Sequence, residues 1–112
     1  MIEYFNSPYL RANIDFGNYM GCGQEGHEAT AKVAKYAVYT HVKDFKKVPD
    51  PSRPWGWNVE ACAVGDGAVN VPECIKAIEA VNYDGFITLE YEGVEGEEIG
   101  VPRSVEYMKS IM

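Results

Sequence analysis

Three short runs, ANIDFGN (12–18), AVYTHVKDF (37–45) and GFITLEYEG (85–93), constrain this chain more than anything else in it, because each alternates apolar with polar residues and each precedes helix signals. Successive side chains of a strand point to opposite faces. Ile14 and Phe16 therefore oppose Asn13 and Asp15, while Val38, Thr40 and Val42 oppose Tyr39, His41 and Lys43. In the last run Ile87, Leu89 and Tyr91 oppose Thr88, Glu90 and Glu92. A strand–helix repeat implies an α/β fold with parallel strands joined by right-handed crossovers. Such strands are covered on both faces and are expected to be uniformly hydrophobic. Here each keeps a polar face, with its ionisable groups toward the C-terminal end of the strand, where parallel α/β folds place ligand sites.

The first predicted helix follows the turn GCGQEG and covers about residues 25–36, with Glu25 and Glu28 at its start, where the helix dipole favours anions. The second covers about 71–82: Asn70 is a candidate N-cap, Glu73 follows three residues later, and Pro72 falls in the tolerated first turn. It stops at the turn signal NYDG. The third begins at Pro102, and Val101, Val105, Met108 and Met112 recur at helical spacing as its buried stripe. Between the second strand and the second helix lies KKVPDPSRPWGWNVEACAVGDGA (46–68), with three prolines and two tryptophans. It is predicted as a long irregular connection, of the kind that serves as a functional lid or stays disordered.

A length of 112 residues bounds the chain to one domain, and 46% hydrophobic with 24% charged residues is the composition of a globular protein. The net charge of −7 argues against nucleic acid, since the only dense basic run is Lys43 to Lys47. A neutral or cationic small ligand, or a metal, fits better. No apolar run approaches the ~18 residues of a membrane span, and MIEYFNSPYLR lacks the basic-then-apolar order of a signal peptide, so the expected location is cytoplasmic. Cys22, Cys62 and Cys74, odd in number and without C-x-x-C spacing, read as reduced thiols, Cys74 facing the core from its helix.

If the strands are adjacent, Asp15, His41 and Glu90 converge on one patch at the C-terminal edge of the sheet. Two carboxylates and an imidazole suit Mn²⁺, Mg²⁺, Co²⁺ or Zn²⁺. A cation would also offset the cost of half-burying two carboxylates side by side. Taken singly, each residue reads better as a plain structural group, because polar side chains usually just find a partner. Matching parity at matching strand ends reverses that preference for the three together. Lys43 shares the face of His41 and either holds a substrate oxygen or pairs with Glu92. Trp55 and Trp57 either wall a sugar ring or anchor their loop. Arg103 is placed to meet a phosphate at the start of the last helix, whereas Glu92, Glu95, Glu97 and Glu98 nearby argue for a neutral substrate. His27 is expected to be exposed.

NIDFGN, THVKDF and GDGAVNVPECIKAIEAVNYDGFITLEYEG, with the closing GVPRSVEYMKSIM, resemble the C-terminal part of the sugar isomerase/epimerase family with a xylose isomerase-like TIM barrel, related to endonuclease IV. The resemblance covers nearly the whole chain. It implies a partial (β/α)₈ barrel of three βα units equivalent to strands 6–8, with residues 1–112 as the C-terminal portion of the domain. In that family one divalent cation is held by a Glu, an Asp, a His and a second Glu on four successive strands. The last three correspond to Asp15, His41 and Glu90, and Mn²⁺ is the foremost cation implied. The implied reaction is isomerisation or epimerisation of a sugar, polyol or keto-sugar. The metal chelates neighbouring oxygens, the C–H beside the carbonyl becomes more acidic, and two glutamates pass a proton through an enediolate. Glu90 is one of these acid/base residues, and Glu92, one step nearer the mouth, orients its neighbours.

The endonuclease branch carries a histidine three residues after the strand aspartate, where this chain has Asn18, so no trinuclear DNA-repair site is implied. The family's first metal-binding Glu has no counterpart here. Three strands cannot close a barrel. The expectation is therefore that a partner chain or self-association completes it around a sugar substrate, with an inactive barrel fragment or a non-catalytic interaction module as the competing reading.

Overall fold

In chain order the elements are α1 (Ile2–Phe5), β1 (Ala12–Asp15), a 3₁₀ turn (Asn18–Cys22), α2 (Gly26–Val33), a second 3₁₀ turn (Ala34–Tyr36), β2 (Ala37–Val42), β3 (Asp44–Pro49), β4 (Trp57–Cys62), α3 (Val71–Glu79), β5 (Ile87–Leu89) and α4 (Glu97–Ile111). They are taken from a computed structural model that describes all residues, Met1–Met112. β1, β2 and β5 form a parallel sheet with β2 in the middle. The chain is thus α/β.

The strand alternation decides which face is covered. Ile14, Phe16 and Val42 are fully buried and form one core with Cys74, Ile75 and Ile78 of α3 and Met108 of α4. Helix α3 presents Val71, Cys74, Ile75 and Ile78 on that side at i, i+3, i+4 and i+7. Each large aliphatic side chain contributes roughly 1.5–3 kcal/mol by leaving water. Its start is fixed as expected, with Asn70 Oδ1 accepting from the Glu73 N–H at 3.3 Å and proline in the first turn. Helix α2 packs so close to β1 that a Cβ on Gly26 would lie 2.1 Å from the Phe16 carbonyl oxygen, so only glycine fits there. Only 24 of 112 residues are buried and the molecule measures 40 × 36 × 20 Å, which makes it a slab, the parallel sheet backed by one layer of helices with a two-stranded sheet, β3 and β4, beside it. The other face of the sheet, with Tyr39, His41 and Glu90, has no helix over it.

The structure corrects several expectations. Residues 46–68 are not an irregular connection: β3 and β4 pair antiparallel from Asp44–Cys62 to Pro49–Trp57. Strand periodicity is present in β4, where Trp57, Val59 and Ala61 are half-buried and Asn58 and Glu60 exposed. The prolines that suggest disorder end β3 (Pro49) and shape the turn (Pro51, Pro54). Within that turn Asp50 accepts from Ser52 at its side chain, its N–H donates to the Gly56 carbonyl at 2.9 Å, and Gly56 takes φ 84°. The second strand consequently ends at Val42, and Lys43 marks where the chain leaves the parallel sheet.

Strand β5 is three residues long, although Glu90 continues the ladder through its N–H to the Val42 carbonyl at 2.9 Å. Helix α2 gives way to a 3₁₀ turn after Val33, α3 ends at Glu79, and α1 was not expected. Helix α4 starts at Glu97, five residues before Pro102, which sits inside it and denies Glu98 its intrahelical partner. Ser104 ties this bend to the core, its Oγ donating to the Gly100 carbonyl and accepting from the Val64 N–H. Of the expected stripe only Met108 is buried. Val101 is half-buried, and Val105 and Met112 are exposed, lining with Ile87 and Leu89 an open groove of about 410 Å³ on the outer side of β5. His27 is half-buried beside Glu73 and Lys76 of α3 instead of exposed. All three cysteines are free, and burial pushes the Cys74 thiol up to about 12 and the Cys62 thiol to about 11. No helix is long and apolar enough to cross a membrane.

Candidate functional site

The middle strand carries the basic groups of the polar face, and its two neighbours carry the acids. In register, Asp15 lies beside His41 and His41 beside Thr88, while Val42 lies beside Leu89. Two main-chain bonds extend the ladder past the strand ends, from the Phe16 N–H to the His41 carbonyl (3.0 Å) and from the Glu90 N–H to the Val42 carbonyl. The site is therefore built on hydrogen-bonded backbone.

Asp15 is oriented by the turn that follows it. Its Oδ1 accepts from the N–H groups of Gly17 (2.9 Å) and Asn18 (3.0 Å), and its Oδ2, buried and without a hydrogen bond, faces the neighbouring strands. Nδ1 of His41 lies 3.1 Å from Glu90 Oε2 and 4.0 Å from Asp15 Oδ2. One ligand atom from each of Asp15, His41 and Glu90 falls within 4.8 Å of the others. Tyr39 forms the layer beneath: its hydroxyl accepts from Thr88 Oγ1 at 2.8 Å and its ring meets the His41 imidazole edge-on at 5.5 Å.

Lys43 reaches into the middle of this group. Its Nζ is 2.7 Å from Glu90 Oε2, 2.8 Å from Glu92 Oε2 and 3.3 Å from Asp15 Oδ2, with only 6% of the side chain exposed. The stem lies over Gly17, where a Cβ would come within 2.7 Å of Lys43 Cγ. Both roles foreseen for Lys43 placed it at the site; its contacts extend beyond Glu92 to both other carboxylates.

The donor set fits a divalent cation. Ligands about 2.1 Å from an ion lie roughly 3 Å apart when adjacent and roughly 4.2 Å apart when opposite, close to the spacings seen. A buried carboxylate oxygen with no hydrogen bond, balanced only by the Lys43 ammonium at 3.3 Å, is the kind of atom such an ion satisfies.

The hydrogen bond from Lys43 holds the Glu90 carboxyl below the usual carboxylate range. Burial works against the Lys43 ammonium, but its hydrogen bonds to Glu90 and Glu92 and the Asp15 charge more than reverse this, so its pKa is raised. The stabilisation from Glu90 is present above its unfolded pKa of about 4.3 and is lost as pH falls through its lower folded value; that from Lys43 is present below about 10.4 and is lost only as pH rises beyond its higher folded value. Urea midpoints should therefore fall on acidification below about pH 4.3, and Glu90→Gln should flatten this acid limb relative to the wild type. Identical limbs in the two proteins would contradict the assignment.

One residue beyond Lys43, the side chain of Asp44 leaves the polar face and is fully buried. Its Oδ1 accepts from the N–H groups of Phe45 (2.8 Å) and Val69 (2.9 Å), its Oδ2 from those of Gly65 and Gly67 (both 3.0 Å). Burial raises its pKa despite these four bonds. Asp44 thus pins the loop between β4 and α3 beside the site. The strand parity of VKDF does place it on the core face, where a carboxylate needs partners, and that is the signal sequence reading passed over.

The profile of the xylose isomerase-like TIM barrel family matches residues 1–111. The chain belongs to that family. A xylose isomerase domain protein from Planctomyces limnophilus is 28% identical in sequence and superposes with a TM-score of 0.79, over 98% of this chain and 38% of that one. A xylose isomerase-like TIM barrel protein from Mycobacterium smegmatis, solved in complex with magnesium, is 21% identical with a TM-score of 0.76, over 98% of this chain and 36% of that one, and shares the fold. The chain thus spans well under half the length of either structure. No protein of curated function matches it.

In a xylose isomerase-like barrel the face carrying Asp15, His41, Lys43 and Glu90 is the interior wall, at the C-terminal strand ends. The remaining candidates lie outside this cluster. Trp55 packs on Gly23 in the loop after β1, Trp57 lies under the Lys47 ammonium at 4.3 Å, and no contact joins either ring to Asp15, His41 or Glu90. The Arg103 guanidinium is taken up by Asp66 at 2.7 Å and by Glu95, bridging the loops after β4 and β5.

Proposed function

We propose that these 112 residues supply part of the active site of a divalent-metal-dependent isomerase or epimerase of sugars, polyols or keto-sugars, with activity belonging to the completed barrel. The observation that carries the reading is the convergence of Asp15, His41 and Glu90 from three adjacent strands, with one buried Asp15 oxygen that has no hydrogen bond and faces only the Lys43 ammonium at 3.3 Å. Family membership and the magnesium complex of the M. smegmatis protein support it. Mn²⁺ is the favoured cation and Mg²⁺ the next, held by Asp15, His41 and Glu90 together with a carboxylate from outside this segment. When bound, such an ion supplies a fixed positive charge that lowers the pKa of a C–H beside a carbonyl it polarises.

The chain's own groups do the rest. Glu90 is an anion at neutral pH and uses Oε2 for its contacts with His41 and Lys43, while Oε1 makes no hydrogen bond within the chain. It accepts the proton beside the carbonyl, leaving an enediolate, and in isomerisation returns a proton to the neighbouring carbon, whereas epimerisation takes the new proton on the opposite face of the same carbon from a second acid outside this segment. His41 holds it in place, joined by Lys43 in the metal-free chain. The two open sheet edges and the apolar groove beside β5 are the surfaces against which a partner chain or a second copy completes the wall. Three free cysteines suit the reducing cytoplasm.

Native mass spectrometry with Mn²⁺ identifies the assembled species, and pentoses, hexoses and keto-sugars are then incubated with it in D₂O. Deuterium should enter at the carbon beside the carbonyl, and Glu90→Gln should slow this by about 10²–10⁴-fold. Exchange undiminished in Glu90→Gln, or none with any sugar in a metal-loaded assembly, would refute the reading.

A further inference from the structure

We propose that Lys43 is an internal counter-cation that occupies the metal's place in the metal-free site and withdraws to Glu92 when a divalent cation enters. The inference rests on the metal-site reading above and adds the device that controls loading. Its ammonium is bonded to Glu90 Oε2 at 2.7 Å and lies 3.3 Å from Asp15 Oδ2, the same two oxygens that take part in the candidate ligand set. An ion held by those oxygens stands within a few ångströms of the ammonium, where two positive charges repel strongly in a partly buried setting. Both cannot keep these contacts. Either the ion stays out or the lysine lets go.

The structure supplies a place for the released ammonium. Glu92 Oε2 is already 2.8 Å from Nζ, its side chain is 51% exposed, and it is not one of the candidate ligands. The lysine stem lies over Gly17 in the turn after β1, so Nζ need only give up two of its three carboxylates while the buried part stays put. Without the ion, the ammonium prevents Asp15 and Glu90 from repelling each other across the sheet. With it, Glu92 keeps the lysine paired, and no buried charge is stranded. Glu92 is therefore a parking position that raises metal affinity without touching the metal.

The test is Mn²⁺ titration of the purified chain at neutral pH and low salt, followed by the paramagnetic resonance signal of free Mn²⁺, for the wild type, Lys43→Met, Glu92→Gln and the double variant. Lys43→Met should bind Mn²⁺ at least about tenfold tighter, because the competing cation is gone. Glu92→Gln, which leaves Lys43 two partners and serves if Lys43→Met does not fold, should bind severalfold weaker. In the double variant the Glu92→Gln effect should vanish, whereas a general loss of negative charge would act equally in both backgrounds. If the wild type binds and Lys43→Met binds no tighter, or Glu92→Gln binds as well as the wild type, the counter-cation role is wrong and the metal site stands. If neither the wild type nor Lys43→Met holds Mn²⁺, both readings fall.

Discussion

Asp44→Ala should destabilise the chain by on the order of 3–4 kcal/mol, a large share of the 5–15 kcal/mol that holds a domain folded. The carboxylate accepts four main-chain N–H groups, and those of Phe45 and Val69 are buried. A buried donor left without a partner costs about 1–3 kcal/mol. The Gly65 and Gly67 donors are only part-buried and recover some of the loss by binding water. Relief of a buried charge offsets a further part, which keeps the estimate below the sum of four orphaned donors. Asp44→Asn should fall between, since its amide oxygen still serves one pair of donors while its NH₂ opposes the other. Urea unfolding followed by tryptophan fluorescence and far-UV circular dichroism reads the effect. A loss under about 1 kcal/mol for Asp44→Ala would mean that burial of Val64 and Val69, the Val64 N–H bond to Ser104 and the Ala68 N–H bond to the Phe45 carbonyl hold the loop between β4 and α3 without the carboxylate.

Asp15→Asn should abolish stoichiometric Mn²⁺ binding while lowering the urea midpoint only modestly, through loss of the charge beside the Lys43 ammonium. The amide oxygen can still accept from Gly17 and Asn18, as Oδ1 does now, so the turn after β1 survives. What changes is the second position, where an NH₂ replaces the buried oxygen that lacks a hydrogen bond and lies 3.3 Å from the Lys43 ammonium. Removing groups that merely support a ligand costs about 10–100-fold in metal affinity, so loss of a ligand should reach or exceed the upper figure. Equilibrium dialysis with metal analysis gives the answer. Binding within threefold of the wild type would exclude Asp15 as a ligand, whatever became of Glu90 and His41.

The alternation of NID, THVK and ITLE is enough to separate the core face from the polar one, because a parallel sheet backed by helices on one side leaves period-two signals intact. The meeting of Asp15, His41 and Glu90 follows from that alternation once the strands are neighbours. Capping chemistry is also local, and Asn70 with Glu73 marks the start of α3 correctly. The hairpin was not legible in this way, since Pro49, Pro51 and Pro54 crowd its turn and obscure the alternation of WNVEAC. Pro102 misled in the opposite direction. A proline signals a helix start, yet α4 runs through it because Ser104 fastens the bend to the Val64 N–H, a contact 40 residues away in sequence. Asp44 likewise depends on donors from residues 65, 67 and 69, which only tertiary structure brings near.

His41 belongs to the one strand hydrogen-bonded on both sides and Lys43 follows directly on its end, whereas Asp15 and Glu90 project from the ends of the two outer strands, one of them only three residues long. Outer strands fray independently of each other, so the gap between the two carboxylates breathes with the motion of both edges while the basic groups keep still. An ion gripping Asp15 and Glu90 together acts as a cross-tie, removing that independence. If the proposed site is right, metal affinity would be partly a measure of how much edge motion is suppressed, and further strands docked on either side would tighten the site without adding a single ligand.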